Sequence, residues 1–278
     1  MSFFLIKGAF YVVGFEPDGD SVRFKADNKD NWKKLEGAPV DLKSQEKVEL
    51  RLDAIDALET HFSGHHQPME YAGAAREFLL SELGMKDVQW VGHKVASARD
   101  GTRGYILTKA TDNYLDKRPV SFVFTGDITV ADGSEIDLDN NKVKESVNYK
   151  IVQEGLAFPT YYTGLMPLIR DEFTNAVINA RNDGKEFWPY DKTSIGVGIG
   201  DIPGITDKDV ILPKLFRRLI KFNLQKTPEN FQEWLKKQND KITIEQSRNI
   251  KTLDEILKID GNQVALTEKP ENIIFMEK

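Results

Sequence analysis

Cysteine does not occur in this chain of 278 residues. Its absence excludes disulfide bonds and thiolate metal ligands, so a bound metal would have to be held by oxygen atoms or by histidine. A sequence without cysteine suits a reducing compartment.

Long apolar runs are missing as well. Every apolar stretch is far shorter than the ~20 residues that a membrane-spanning helix needs. The first residues, 1–7, also lack the basic start and the small-residue cleavage site of a signal peptide. The sequence as it stands therefore predicts a cytoplasmic protein with no membrane partner, or a secreted or periplasmic one if a leader has been removed.

An excess of basic residues is the third feature that the chain lacks, because its net charge is −6 and its pI is about 5.4. Most nucleic-acid-binding proteins are basic, so this balance counts against tight binding to long duplexes. A cleft can still be locally positive, and binding would then be weak and salt-sensitive. The hydrophobic fraction of 40% is sufficient for one large domain or a domain with an appendage.

The residue pattern up to about position 190 predicts strands followed by helices. The helix at 68–84 has the clearest limits, since Pro68 suits a helix start and Gly84 a C-cap. In 47–53, alternation puts Leu50 and Leu52 on one face and Arg51 on the other. Strands are predicted at 3–16, 20–26, 47–53, 87–96, 103–110 and 119–125, helices at 68–84, 142–154 and 165–182, and a loop insertion at 28–46. This order indicates a small β-barrel with flanking helices.

The sequence becomes glycine-rich beyond Trp188, and this change predicts a domain boundary near residue 190, with domains at 1–190 and 191–278. Gly196, Gly198 and Gly200 lack the spacing of a dinucleotide fingerprint, so we interpret them as a hinge or linker. The second part is predicted to be an accessory region with helices at 209–223, 229–238 and 252–258 and strands at 262–267 and 272–276.

Five charged residues carry the chemical information. Asp20 follows the turn Pro17-Asp18-Gly19 at the entrance to a predicted strand. Arg51, Asp56 and Glu59 lie within one short segment, and Arg118 directly precedes a strand. Carboxylates can hold a hard cation or act as a base, and guanidinium groups bind phosphate oxygens through a planar fork. Together these residue types predict phosphodiester cleavage.

These residues also lie within motifs that resemble the staphylococcal nuclease (thermonuclease-like) family. The matching pieces occur in family order across residues 3–188. They are Asp18 to Val22, Arg51 to Thr60, Tyr71 to Leu79, Tyr114 with Arg118, Gln153 to Tyr161, and Trp188. The resemblance implies an α+β, mainly β fold, in which a five-stranded OB-fold barrel carries three flanking helices and a C-terminal accessory region follows.

The resemblance further implies a calcium-dependent nuclease that hydrolyses DNA and RNA, favours single strands and leaves 3′-phosphates, with no obligate protein partner. It assigns the calcium ligands to Asp20, Asp56 and the carbonyl of Ala57. It makes Glu59 the base that activates water, and Arg51 and Arg118 the phosphate-binding groups. The substrate-contacting residues that it implies are Tyr114, Tyr161 and Lys117.

Departures from the family pattern leave alternatives open. Ala57-Leu58 replaces a common proline, the turn before Arg118 is lengthened so that Lys117 is a fallback for it, and Thr163 replaces a second aromatic residue. Asp53 shares a predicted face with Arg51 and could pair with it. The main alternative is a catalytically inactive nuclease-fold module that binds nucleic acid. A barrel that binds oligosaccharide or protein is a third hypothesis, but it gives no reason for the two arginines.

Two further groups have both a functional and a structural interpretation. His61, His65 and His66 could bind a transition metal, although their spacing favours a solvated flap instead. The predicted helix at 209–223 carries a basic stripe that could contact nucleic acid or simply face solvent. The stripe consists of Lys214, Arg217, Arg218 and Lys221.

Overall fold

The computed structural model describes residues 2–42, 44–112, 117–245 and 247–276. The chain forms two compact units. Unit 1 consists of Met1–Asp53, Arg76–Ile151 and Met166–Glu172, and unit 2 of Ala54–Ala75, Val152–Leu165 and Phe173–Lys278. The predicted boundary near residue 190 stays a prediction.

Strands and helices are interspersed along the described chain. The strands are β1 (Ser2–Tyr11), β2 (Ser21–Ala26), β3 (Val48–Leu52), β4 (Ile55–Ala57), β5 (Lys86–Val91), β6 (Lys94–Arg99), β7 (Thr102–Thr111), β8 (Pro119–Thr125), β9 (Glu135–Asp137), β10 (Ala157–Pro159), β11 (Tyr161–Tyr162), β12 (Val197–Gly198), β13 (Lys241–Ile244), β14 (Ser247–Thr252), β15 (Leu257–Asp260), β16 (Gln263–Leu266) and β17 (Ile273–Phe275). The α-helices are α1 (Met69–Glu82), α2 (Asn140–Lys144), α3 (Val147–Gln153), α4 (Pro167–Asn182), α5 (Ile202–Asp207), α6 (Pro213–Gln225) and α7 (Phe231–Gln238).

Unit 1 contains a closed five-stranded barrel. Its strands are ordered β2-β3-β8-β7-β1, and β1 pairs with β2 to complete the ring. The β3–β8 pair is parallel and the other pairs of the ring are antiparallel, while β9 adds an extra strand beside β1. This arrangement confirms the predicted α+β, mainly β fold with an OB-fold-like barrel.

Large aromatic rings fill the barrel, and two glycines make room for them. Phe10 and Phe24 face each other across β1 and β2, with ring centroids 4.9 Å apart. Gly8 and Gly104 are partners across β1 and β7. A Cβ atom at Gly104 would come within 2.4 Å of the Phe10 ring and 2.3 Å of a backbone oxygen, so a larger residue there would displace the strand.

The predicted helices of the first 190 residues are confirmed with small changes of limits. Helix α1 follows Pro68 and ends before Gly84, whose φ of 71° suits a C-terminal cap. The predicted helix at 142–154 is split into α2 and α3. Between them the Ser146 hydroxyl accepts a hydrogen bond from the Tyr149 amide and donates one to the Val143 carbonyl.

Three predicted segments differ from the structure. The single strand expected at 87–96 is wrong, because the chain turns at Gly92 and forms the antiparallel hairpin β5–β6. Most side chains of this hairpin are exposed, so no buried face marks its turn in the sequence. The strand expected at 3–16 ends at Tyr11. The loop expected at 28–46 contains the 3-10 helix Lys29–Lys34, with Trp32 buried.

Unit 2 contains small sheets and helices. Its sheets are β4–β10, β11–β17–β13–β14 and β12–β16–β15. Phe158 packs against Phe187 and Trp188 at centroid distances of 4.6 and 5.2 Å. The predicted hinge at Gly196–Gly200 includes β12, which pairs with β16, so that part is a strand of a sheet. The predicted helix at 252–258 is a 3-10 turn, Leu253–Ile256, followed by β15.

No helix in the described part of the chain has both the length and the apolar character that a bilayer crossing requires.

Asp191 in unit 2 provides a test of stability against pH. Burial raises the pKa of its carboxyl, although hydrogen bonds from the Thr193 amide (2.9 Å) and hydroxyl (2.5 Å) and the charge of Arg181 act in the opposite direction. A raised folded-state pKa means that the folded protein binds the proton more tightly than the unfolded chain. Stability is therefore lost as the pH rises through the folded-state pKa.

We expect Asp191→Asn to be at least as stable as the wild type at pH 7, because the amide oxygen can still accept both hydrogen bonds while no charge is buried. The advantage should shrink as the pH falls from the folded-state pKa towards the unfolded-state pKa, and it should not change further below the latter. Urea unfolding of both proteins between pH 3 and 8 measures this difference. A variant that loses stability most strongly at pH 7 would contradict the assignment.

Candidate functional site

Three of the predicted residues lie in or directly before adjoining strands of the unit 1 barrel. Arg51 in β3 is the partner of Ser21 in β2 and of Val120 in β8. Asp20 directly precedes Ser21, and its carbonyl accepts a 2.9 Å hydrogen bond from the Leu52 amide. Since Arg118 lies two residues before Val120, the strand register brings the backbones of Asp20, Arg51 and Arg118 to one end of the barrel. We call these three residues the barrel set.

The side chains of β3 alternate as predicted. Leu50 and Leu52 are buried, whereas Glu49 and Arg51 face outward. The Nε of Arg118 donates to Asp112 at 3.0 Å, and its Nη1 lies 3.5 Å from Glu49. The guanidinium of Arg118 therefore lies on the outward face of β3, which is also the face of Arg51.

The predicted residues just before Arg118 are only partly described. Tyr114 lies outside the described residues, together with Leu115 and Asp116. Lys117 is exposed and has a left-handed backbone with φ of 46°. The roles of Tyr114 and Lys117 stay predictions.

The other predicted residues belong to unit 2. Asp56 is the central residue of β4 and pairs with Phe158 of β10, while Ala57 pairs with Ala157. Asp56 is only 5% exposed and the side chain of Glu59 only 12% exposed. We call Asp56 and Glu59 the acidic pair, because one positive charge holds both of them.

That charge is Arg217, which lies on α6. Its Nη1 and Nη2 donate to the two carboxylate oxygens of Asp56 at 3.0 and 2.7 Å, and Nη1 also donates to Oε1 of Glu59. Burial alone would lower the pKa of Arg217, but the charges and hydrogen bonds of Asp56 and Glu59 outweigh it and hold the pKa well above the usual value. Arg217 therefore stays charged, and its bidentate contact with Asp56 is of the strong, charge-assisted kind.

Helix α6 places Arg217 by burying an apolar stripe. Leu215, Phe216, Leu219 and Ile220 have no exposed surface. Arg218 forms a bidentate ion pair with Asp240, in which both bonds are 2.6 Å long. The nitrogen of Lys221 lies 5.6 Å from the centre of the Phe62 ring. The basic stripe predicted for this helix therefore includes two arginines that pair with acids of the same unit.

Gln67 ties the acidic pair to the start of α6. Its side-chain oxygen accepts a hydrogen bond from the backbone amide of Glu59 at 3.2 Å, and its backbone amide donates one to the Glu59 carbonyl at 2.8 Å. Its Nε2 donates to the Ile211 carbonyl at 2.7 Å, two residues before α6 begins. Because Gln67 is fully buried, it fixes the backbone of Glu59 relative to the helix that carries Arg217.

The histidine loop lies between Glu59 and Gln67. Nδ1 of His61 is 2.8 Å from the Thr60 hydroxyl, and Nδ1 of His65 and of His66 lie 3.1 and 3.0 Å from backbone carbonyls. Among the described residues, no group of three or more His, Asp or Glu side chains is placed to hold a metal ion.

Tyr161, predicted to contact nucleotide, has no exposed surface. Its hydroxyl is 2.9 Å from the hydroxyl of Thr174 on α4. A base can stack on this ring only if the residues around it move, so the predicted role of Tyr161 stays a prediction.

The structure allows a test of whether calcium suits the predicted ligands. Carboxylate and carbonyl oxygens, as in Asp20, Asp56 and Ala57, are the donors that calcium prefers. Both oxygens of Asp56, however, accept hydrogen bonds from Arg217. A divalent cation beside this guanidinium would place like charges together, so these residues fit calcium only when Arg217 is displaced.

Sequence reasoning missed the roles of Arg217 and Gln67. Arg217 is 161 residues away from Asp56 along the chain. The sequence shows Arg217 only as part of a basic stripe, and no local pattern identifies which acidic residue a basic residue pairs with. A buried glutamine within a polar loop gives no periodic signal either.

No protein-family model and no curated protein matches this sequence. The resemblance to staphylococcal nuclease therefore stays a hypothesis that rests on the motifs, and the barrel agrees with the fold that it implies.

Proposed function

We propose that this protein is a nuclease that hydrolyses phosphodiester bonds of DNA and RNA with low sequence specificity and with calcium as its cofactor. The observation that supports this proposal best is the convergence of the barrel set. The backbones of two arginines and an aspartate meet at one end of the barrel, and these are residue types suited to an anionic phosphodiester.

The protein's own residues have distinct tasks in this proposal. Arg51 and Arg118 bind oxygens of the reacting phosphate, and their fixed charge stabilises the additional negative charge of the crowded transition state. Glu59 accepts a proton from the attacking water. In this mechanism the water oxygen bonds to phosphorus while the bond to the 5′ oxygen breaks, the departing 5′ oxygen takes a proton from solvent, and the product carries a 3′-phosphate.

Calcium, when bound by Asp20, Asp56 and the Ala57 carbonyl, would orient the phosphate and neutralise part of its charge. A site with so few carboxylates should bind the ion weakly. The proposal therefore applies to conditions in which calcium is abundant, such as influx, lysis or an extracellular location.

A second candidate function is a nucleic-acid-binding module that does not cleave. The ion pairs of Arg217 with both Asp56 and Glu59 favour it, because they occupy the groups that hydrolysis needs. In this case Arg51 and Arg118 would bind the backbone of single-stranded nucleic acid, and the acidic pair would only stabilise unit 2.

Incubation with heat-denatured DNA separates the two candidates. We expect degradation of the DNA with millimolar calcium and no degradation with a chelator in place of calcium. Gel electrophoresis and end-labelling measure chain length and the predicted 3′-phosphate. If the protein retards the DNA without shortening it at any calcium concentration, the binding module is correct and the nuclease is not.

A further inference from the structure

Asp112 and Arg118 are the two ends of the connection between β7 and β8, directly beyond the register pair Thr111–Pro119. The Asp112 amide donates a 2.8 Å hydrogen bond to the Arg118 carbonyl. The Arg118 amide donates one of 2.9 Å to Oδ1 of Asp112. The carboxylate thus accepts the return hydrogen bond that a backbone carbonyl accepts in a regular antiparallel pair, and it fixes the backbone of Arg118 at the end of β7.

The same carboxylate also holds the side chain of Arg118. Its Oδ2 accepts a 3.0 Å hydrogen bond from Nε, and the side chain of Asp112 is only 5% exposed. Among the described residues, Arg118 is the only hydrogen-bonding partner of Asp112. One buried carboxylate therefore orders both the backbone and the guanidinium of Arg118, so this arginine loses little further conformational freedom when it binds a ligand.

The outer edge of this guanidinium, formed by Nη1 and Nη2, differs from that of Arg103 in the same unit. Both of these nitrogens in Arg103 donate to Asp27. In Arg118 the acid takes Nε instead, and Nη1 lies 3.5 Å from Glu49, which is longer than a normal hydrogen bond. No described residue accepts a hydrogen bond from Nη2 of Arg118. Its outer edge can therefore bind two oxygens of an anion through a planar fork.

We propose that Asp112 is a positioning residue, which orders Arg118 so that the Nη1–Nη2 edge binds a phosphate of single-stranded nucleic acid. The inference rests on the proposed function for the phosphate-binding role of Arg118, and it applies whether or not the phosphodiester is then cleaved. An acid beside a phosphate site weakens the binding of a polyanion by charge repulsion. If Asp112 orders the arginine, removing its charge weakens binding instead, and this sign separates positioning from repulsion.

Fluorescence anisotropy of a labelled oligothymidylate with the full-length protein, in the presence of a chelator, measures binding without cleavage. We expect Asp112→Asn to weaken binding about two- to tenfold, since a disordered arginine must lose its side-chain freedom on binding. Asp27→Asn is the matched control, because it removes a carboxylate from Arg103 in the same unit. Its affinity should equal or slightly exceed that of the wild type.

A second arginine variant tests whether Asp112 acts through Arg118. Arg118→Met should weaken binding and lower the steepness of log K against log salt by about 0.7, as for the loss of one phosphate contact on a single strand. In this background Asp112→Asn should cause no further loss of affinity, because the group that it positions is already missing. A carboxylate that only stabilises the barrel would cause the same loss in both backgrounds.

If Asp112→Asn fails to fold, NMR of the wild type decides. The Nε proton of Arg118 should exchange slowly with water in the free protein. Oligothymidylate should slow the exchange of the Nη protons while Nε keeps its protection, and the spectrum of Arg118→Met assigns these signals. Rapid exchange of Nε in the free protein, or Nη exchange that the oligonucleotide does not slow, overturns the inference.

The possible outcomes separate this inference from the proposed function. Weaker binding by Asp112→Asn only where Arg118 is present supports the inference, even if the protein shortens DNA at no calcium concentration, a result that removes the nuclease. Wild-type affinity in a folded Asp112→Asn overturns the inference, even if the protein cleaves DNA. Equal losses in both backgrounds, or no measurable binding by the wild type at low salt, overturn it as well.

Discussion

Replacing Glu59 with glutamine should lower the rate of DNA hydrolysis by about 10²–10⁴-fold, which is the range that a positioned general base contributes. Glutamine has the same length, and its side-chain oxygen can still accept a hydrogen bond from Arg217. The hydrogen bonds that the Glu59 backbone forms with Gln67 do not involve the altered group. The main change is the loss of a carboxylate that can take a proton from water.

Initial rates on denatured DNA at saturating calcium measure this effect, with circular dichroism as a check on folding. Glu70→Gln is the control, since Glu70 is an exposed carboxylate in the first turn of α1 in the same unit. That variant should cleave at the wild-type rate. A folded Glu59→Gln protein that also cleaves at this rate would remove Glu59 from the mechanism.

Replacing Arg118 with methionine should lower kcat/KM by about 10²–10³-fold, as expected for the loss of one group that stabilises transition-state charge. Methionine roughly preserves the length of the apolar stem and removes the guanidinium. Arg118→Lys should recover only part of the activity, because an ammonium group cannot bind two phosphate oxygens through a planar fork.

The control for this variant must account for the ion pair that Arg118 forms with Asp112. Arg103 in β7 forms a bidentate and more exposed ion pair with Asp27 in the same unit. Arg103→Met therefore removes an arginine and an ion pair without touching the barrel set, and we expect it to retain wild-type kinetics. If the two methionine variants lose activity equally, Arg118 acts through the stability of unit 1 and not through phosphate.

The sequence alone determined those parts of the fold in which buried and exposed positions recur with a regular period along the chain. Alternation in β3 correctly placed Leu50 and Leu52 inside and Arg51 outside, since successive side chains of a strand point to opposite faces. Proline and glycine marked the ends of α1 because their backbone preferences are local. The order of these elements was then sufficient to predict the barrel.

Local signals were insufficient where a segment has no buried face or where its partner is distant. The β5–β6 hairpin exposes most of its side chains, so its turn at Gly92 had no periodic pattern to interrupt. Strand β4 has only three residues, and its pairing with β10 joins segments about 100 residues apart. Neither could be recognised from a window of neighbouring residues.

The candidate site shows the same difference between what the sequence predicts and what only the tertiary structure shows. The sequence predicted functional roles for Asp56 and Glu59 and placed Arg217 among four basic residues on a helix, because residue type and spacing can be taken directly from the sequence. Only the tertiary structure decided that Arg217 neutralises both acids while Arg218, its neighbour, binds Asp240. The physical reason is that a buried charge must be compensated by whichever opposite charge the packing brings within hydrogen-bonding distance, and that distance does not depend on separation along the chain.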